Sequence, residues 1–139
     1  MIIMSVDYDR VRTGVAVCDK SETLASPAAM TKEYNMDNLA EKIAALAAVR
    51  DAEMLVVGLP VNMDGSEGES AQNVRKFVEI LKTRTDLPIV LRDERGTTVT
   101  AHNYLNVTNT RVNKRKAAVD SVAAVIILED YLSFRRNQK

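Results

Sequence analysis

Apolar residues fall along this chain in short blocks whose spacing alternates between that of strands and that of helices. Ile2-Ile3-Met4-Ser5-Val6 and Gly14-Val15-Ala16-Val17-Cys18 are continuous runs of strand length, and Asp9-Arg10-Val11-Arg12-Thr13 between them predicts a hairpin turn. Leu24 to Met30 predicts a third strand, which Pro27 marks as an edge or bulged one. Leu39, Ile43, Leu46 and Ala47 then take up helical spacing behind Asp37 or Asn38 as the cap. Met54-Leu55-Val56-Val57 has the unbroken apolar character of a parallel strand buried on both faces. It ends in Gly58-Leu59-Pro60, and a polar, substrate-facing mobile loop is expected over residues 62–69. A second helix carries Val74, Phe77, Val78 and Leu81, and Pro88 to Leu91 is the last strand. Thr97 or Thr98 caps a short helix ending near Leu105. After a polar loop, the final helix runs from Lys114 to Leu132, with a frayed tail after Phe134.

The resulting order, β-β-β-α-β-α-β-α, places a three-strand meander before two parallel crossovers. That order predicts an α/β protein of ribonuclease H-like fold, with a mixed five-stranded sheet flanked by helices. The length of 139 residues suits one domain over residues 1–139. Hydrophobic residues at 46% and charged residues at 27% suit a globular chain with a core. No apolar run approaches the roughly 20 residues that span a bilayer, so no membrane partner is expected. The first residues lack the pattern of a signal peptide, and Cys18 is the single cysteine. The expectation is a cytosolic protein without a disulfide.

Acids stand where burial should make them costly. Asp7 closes the first apolar run, Asp93-Glu94 follow the last strand, and Asp120 interrupts Lys116-Ala117-Ala118-Val119-Asp120-Ser121-Val122-Ala123-Ala124 within the final helix. Asp7 alone reads as a turn former, but its wholly apolar strand and the arginines after it favour chemistry. A threonine cap accounts for neither Asp93 nor Glu94, and spacing alone does not choose between them. Asp120 has Lys116, Ala117, Ala123 and Ala124 as helical neighbours. A Lys116 ion pair is its structural alternative, whereas the alanines favour close approach to a shared site. Carboxylates brought together from strands and a helix point to a divalent cation and phosphodiester hydrolysis. Asp7, Glu94 and Asp120 are the candidate metal ligands and Asp93 a further candidate catalytic acid, with the choice between Asp93 and Glu94 for the metal left open.

Net charge is zero, with 19 basic and 19 acidic residues, so nucleic acid must be held by a local patch rather than by a basic face. Arg10 and Arg12 accompany Asp7, Arg92 and Arg95 flank Asp93-Glu94, and Lys114-Arg115-Lys116 precede Asp120. Each cluster alone is ordinary solvated charge. Together they outline a substrate rim that takes in Arg12, Asn62, Arg95, Thr97, Lys114, Arg115 and Lys116. The loop Gly58 to Gly68 lacks the Gly-Lys-Ser/Thr ending of a P-loop. His102 is read as a surface residue and Cys18 as a small core residue.

Four ordered motifs carry a resemblance that spans nearly the whole chain. They are Asp7-Tyr8 through Arg12-Thr13-Gly14-Val15, Val57-Gly58-Leu59-Pro60 with Asn62 to Gly68, Asp93-Glu94-Arg95 with Thr97-Thr98, and Val119-Asp120 with Ala123-Ala124 and Ile127-Leu128. In these the chain resembles the YqgF/RuvX family of pre-16S rRNA nucleases, described also as Holliday junction resolvase-like. The resemblance implies the ribonuclease H-like fold of RuvC, a bacterial cytoplasmic setting, and maturation of the 5′ end of 16S ribosomal RNA, with association with ribosomal precursors. It implies Asp7, Asp93-Glu94 and Asp120 as catalytic acids and Arg12 as a substrate contact.

Two residues depart from the family pattern: Asp9 stands where glycine is usual and Gly96 where leucine is usual. Asp9 is expected either to crowd the site or to add an oxygen ligand. The leading mechanism is two-metal hydrolysis with Mg²⁺ or Mn²⁺. Its alternatives are a nuclease for branched DNA and a non-catalytic RNA- or ribosome-associated module on the same scaffold. A sugar-kinase-type phosphotransferase needs two such domains and a glycine-rich turn, and this chain is too short. Whether the protein is a monomer or a homodimer stays open.

Overall fold

Strands β1 (Ile3–Asp7), β2 (Arg12–Cys18), β3 (Ala25–Lys32), β4 (Met54–Leu59) and β5 (Ile89–Asp93) form one sheet in the order β3-β2-β1-β4-β5. The computed structural model describes residues 1–93 and 112–137, with side chains in the second segment from residue 122 onward. β1 pairs antiparallel with β2 and parallel with β4, β3 is antiparallel to β2, and β5 is parallel to β4. This is the meander followed by parallel crossovers that the order of apolar blocks predicts. Helices α1 (Met36–Val49) and α2 (Glu69–Lys82) supply the crossovers, and α3 (Val112–Arg136) closes the chain.

The two-residue period of the strands divides the core into two layers. Met4, Val6, Val15, Leu55 and Val57 face α1 and α2, and Phe77 and Ile43 are fully buried against them. Ile3, Ala16, Cys18 and Val56 face α3, where Ala124, Ile127 and Leu128 cover them. β1 and β4 are therefore buried on both sides, which is why their sequences show no polar alternation. Each fully buried large side chain here contributes roughly 1.5–3 kcal/mol from area removed from water.

Several boundaries differ from the sequence expectation for physical reasons. Asn35, rather than Asp37 or Asn38, caps α1, because its side chain accepts the Asn38 amide at 3.0 Å. β2 begins at Arg12, two residues before its apolar run, since the backbone ladder continues to Lys32 on β3. β3 is both an edge strand and a bulged one: the register slips between Val15 and Ala16, beside Pro27. Helix α3 starts at Val112 and continues through Arg136. Its last turn is held by Arg135, which donates to Glu22 at 2.7 Å. The expected short helix from Thr97 or Thr98 to Leu105 lies outside the described residues.

Candidate active site

Asp7 ends β1 half-buried, and its parity places it on the α3 face with Ile3 and Ser5. Gly14 is its cross-strand partner on β2, and Gly58 follows Val57 beside it on β4. Neither neighbour brings a side chain to that face, so the carboxylate stands in a notch between two glycines. Arg12 lies two residues along β2 from Gly14 and shares its parity, so it flanks Asp7 on the same face.

The route by which α3 reaches this notch is fixed by one buried contact. Ser5 is fully buried and its hydroxyl donates to the Ala124 carbonyl at 2.7 Å. At its far end the helix meets the start of β1: Glu22 binds Arg135 at 2.7 Å and the Met1 ammonium at 2.9 Å. Helix and strand thus run in opposite directions. Asp7 lies two residues beyond Ser5, about 6.6 Å along the strand. Position 120 lies four residues before Ala124 on the same helical stripe, about 6 Å along the axis. The two acid positions therefore fall at one level. Ala123 and Ala124 are buried against the sheet, and their small size permits the close approach that the sequence suggested. The Asp120 side chain, like those of Lys114, Arg115 and Lys116 on the first turns of α3, lies outside the described residues.

Asp93 ends β5 opposite Leu59. Its strand alternates between Leu91, in the α1/α2 layer, and Arg92, which reaches α3. Asp93 has the parity of Leu91, so the sheet lies between it and the Asp7 notch. Glu94, Arg95 and Thr97 lie outside the described residues, as do Gly96 and His102. Among the described residues no three acidic, histidine or cysteine side chains converge as metal ligands.

Three residues have contacts that the sequence pattern did not show. Arg92 does not join a rim around the acids: its guanidinium bonds Asp130 at 2.7 Å and lies 4.6 Å from the Phe134 ring centroid. Asp9 is a turn residue, its Oδ1 accepting the Val11 amide at 3.0 Å, while buried Thr13 donates to the Asp9 carbonyl at 3.2 Å. Asn62 laces its own loop, donating to Ser66 Oγ at 2.9 Å and, through its backbone, to the Ser66 carbonyl at 2.8 Å. The 62–69 segment is a hydrogen-bonded turn completed by Gly65 in the left-handed region (φ 91°). Cys18 is the buried core thiol expected, and desolvation pushes its pKa up. Ser5 is the residue that pattern reading passed over. The available signal was a hydroxyl two positions before Asp7, on the same face of an otherwise apolar strand.

The arrangement of sheet and helices is shared with solved resolvases. Thermus thermophilus RuvC in complex with a Holliday junction substrate superposes with a TM-score of 0.62 at 11% identity, covering 98% of this chain and 96% of that one. The fowlpox virus Holliday junction resolvase superposes at 0.54 with 14% identity, covering 96% and 99%. The fold shared with these structures is the ribonuclease H-like one.

Sequence comparison carries this to a family. Residues 1–134 match RuvX, described as Holliday junction resolvase, and this chain belongs to that family. A relative from Endomicrobium trichonymphae, named as a candidate pre-16S rRNA nuclease, is 39% identical over 137 residues and 98% of each chain. A relative of the same name from Thermoanaerobacter pseudethanolicus is 38% identical over 139 residues, covering 99% of this chain and 100% of its own.

Proposed function

We propose that this protein is a metal-dependent nuclease that hydrolyses phosphodiester bonds in precursor 16S ribosomal RNA, at the level where Asp7 meets α3. The observation that carries this reading is the Ser5–Ala124 bond, from which position 120, four residues back along α3, falls at the level of Asp7. The relatives' shared name supports the RNA substrate.

Asp7, Glu94 and Asp120 form an all-oxygen donor set. That fits a hard divalent ion such as Mg²⁺ or Mn²⁺, whereas the soft thiol of Cys18 is buried in the α3-side core. Glu94 is preferred to Asp93 from the second pair because the register of β5 gives Asp93 the parity of Leu91, away from Asp7's face. When bound, such an ion supplies the Lewis acidity that activates water and offsets charge on the transition state. Arg12 neutralises a phosphate next to the scissile one, from the strand beside Asp7. Lys114, Arg115 and Lys116 hold the backbone further along and add affinity without sequence choice.

One assay matrix tests the reading: precursor 16S RNA, single-stranded RNA and a four-way DNA junction, each with Mg²⁺, Mn²⁺ or chelator. Metal-dependent cleavage of the precursor is expected. Cleavage of the junction alone would move the substrate to branched DNA, the polymer in the family's description. No cleavage of any substrate would leave a non-catalytic module.

A further inference from the structure

A second cavity lies across the sheet from the Asp7 notch. Tyr8, with opposite parity to Asp7, stacks its ring on Phe77 with centroids 5.0 Å apart. Tyr8, Asp9 and Arg10 on the turn, with Pro60, Ser70, Asn73 and Val74 facing them, enclose about 130 Å³. That is below the roughly 300 Å³ of ordinary small-molecule pockets and on the scale of a single ring system. Among the described residues no hydrogen bond engages the side chains of Ser70, Asn73, Arg10 or the Tyr8 hydroxyl. The Asp9 Oδ1 accepts from the Val11 amide, and among the described residues no hydrogen bond takes Oδ2, which can accept from an outside donor.

We propose that this cavity receives one unstacked nucleobase of the bound strand, and that Asp9 and Asn73 select a base bearing an exocyclic amino group. The proposal rests on the nuclease reading above and adds a specificity subsite to it. Pro60, Val74 and the Tyr8 ring offer the apolar surface that a base face needs, and the polar groups stand where its edge would lie. A phosphate placed here would meet the Asp9 carboxylate, whereas an amino group donates to it. Uracil and thymine offer one N–H between two carbonyls, which face the carboxylate unfavourably. Arg10 at the mouth suits the phosphate that accompanies the base. Because Tyr8 directly follows Asp7, with Cα atoms about 3.8 Å apart, the selected base belongs within a nucleotide or two of the cleaved bond.

The test measures binding in chelator, so that cleavage plays no part. Fluorescence anisotropy compares labelled oligo-cytidine, oligo-uridine and abasic strands on wild type, Asp9→Asn and Asn73→Ala, with melting curves to verify folding. Asp9→Asn keeps the oxygen that the Val11 amide needs. Wild type is expected to favour oligo-cytidine over oligo-uridine by roughly tenfold, to bind abasic strands more weakly than oligo-cytidine, and to lose the cytidine preference in both variants. Equal affinity for the two bases in wild type, or a preference that both variants retain, overturns the subsite while leaving the nuclease reading intact. Failure to bind any strand overturns the subsite as well, and the nuclease reading then stands or falls on the metal-dependent cleavage of precursor RNA.

Discussion

The hydroxyl of Ser5 donates to the carbonyl of Ala124 at 2.7 Å in a fully buried setting, pinning the last helix to the central strand in one register. Side-chain packing between alanines and an apolar strand tolerates sliding. A directional hydrogen bond in a fully buried site does not, because an orphaned hydroxyl there costs about 1–3 kcal/mol. One polar residue in the core thus fixes the register of α3, and with it the backbone at position 120, against the end of β1.

Ser5→Ala should therefore act on metal binding as well as on stability. Loss of the bond is expected to cost about 1 kcal/mol, or a fall of a few degrees in Tm for a chain of this size. Mn²⁺ affinity, measured by calorimetry well below Tm, should also fall. A lowered Tm with unchanged Mn²⁺ affinity would show that the bond stabilises the fold without placing the site.

Asp120→Asn separates a metal-site acid from a partner of Lys116. In the first case Mn²⁺ binding weakens, and apo stability stays level or rises because repulsion among carboxylates is relieved. In the second, stability drops and metal affinity holds. A metal titration paired with a melting curve distinguishes the two.

The far end of α3 should titrate. The Arg135 guanidinium, then the Met1 ammonium, hold the Glu22 carboxyl down at about 2 from an ordinary 4.5. A depressed carboxylate pKa contributes stability above about 4.5, and that stability is lost as pH falls toward 2. Arg135→Leu should lower stability at pH 7 by about 1 kcal/mol, the scale of a partly exposed pair. The difference from wild type should shrink steadily below pH 4.5. A gap that stays constant down to acid pH would mean that Arg135 acts through packing alone.

Converting Lys114, Arg115 and Lys116 together to Ala should remove roughly two to three phosphate contacts and flatten the log-affinity against log-salt slope by a similar count. Single-turnover cleavage at saturating substrate should change much less, because remote phosphate contacts add uniform binding. An unchanged slope would place the nucleic-acid path elsewhere, past Arg10 and Arg12.

The fold was legible because β1 and β4 are buried on both faces, so their runs are almost wholly apolar, and because Val74, Phe77, Val78 and Leu81 keep helical spacing. The family was legible for another reason: the motifs around Asp7, Asp93-Glu94 and Asp120 hold their order along the chain. What escaped the sequence depends on side-chain direction. Arg92 could be read beside the acids, but only the packing of α3 shows it turned to Asp130. Asp93 and Glu94 are indistinguishable by spacing, and the register of β5 gives Asp93 the parity of Leu91. Asp9 suggested a ligand or an obstruction and serves as the acceptor that shapes its turn. Asn35 was missed as a cap because Asp37 and Asn38 are equally good capping types one or two residues inside the helix.

The central claim is that Asp7 holds a catalytic divalent ion, and Asp7→Asn tests it most directly. The substitution keeps the shape of the side chain and removes its charge. Cleavage of precursor 16S RNA, followed in Mn²⁺ with protein whose melting curve matches wild type, should fall by orders of magnitude, as loss of a metal ligand requires. Cleavage at near wild-type rate by the well-folded variant would contradict the account.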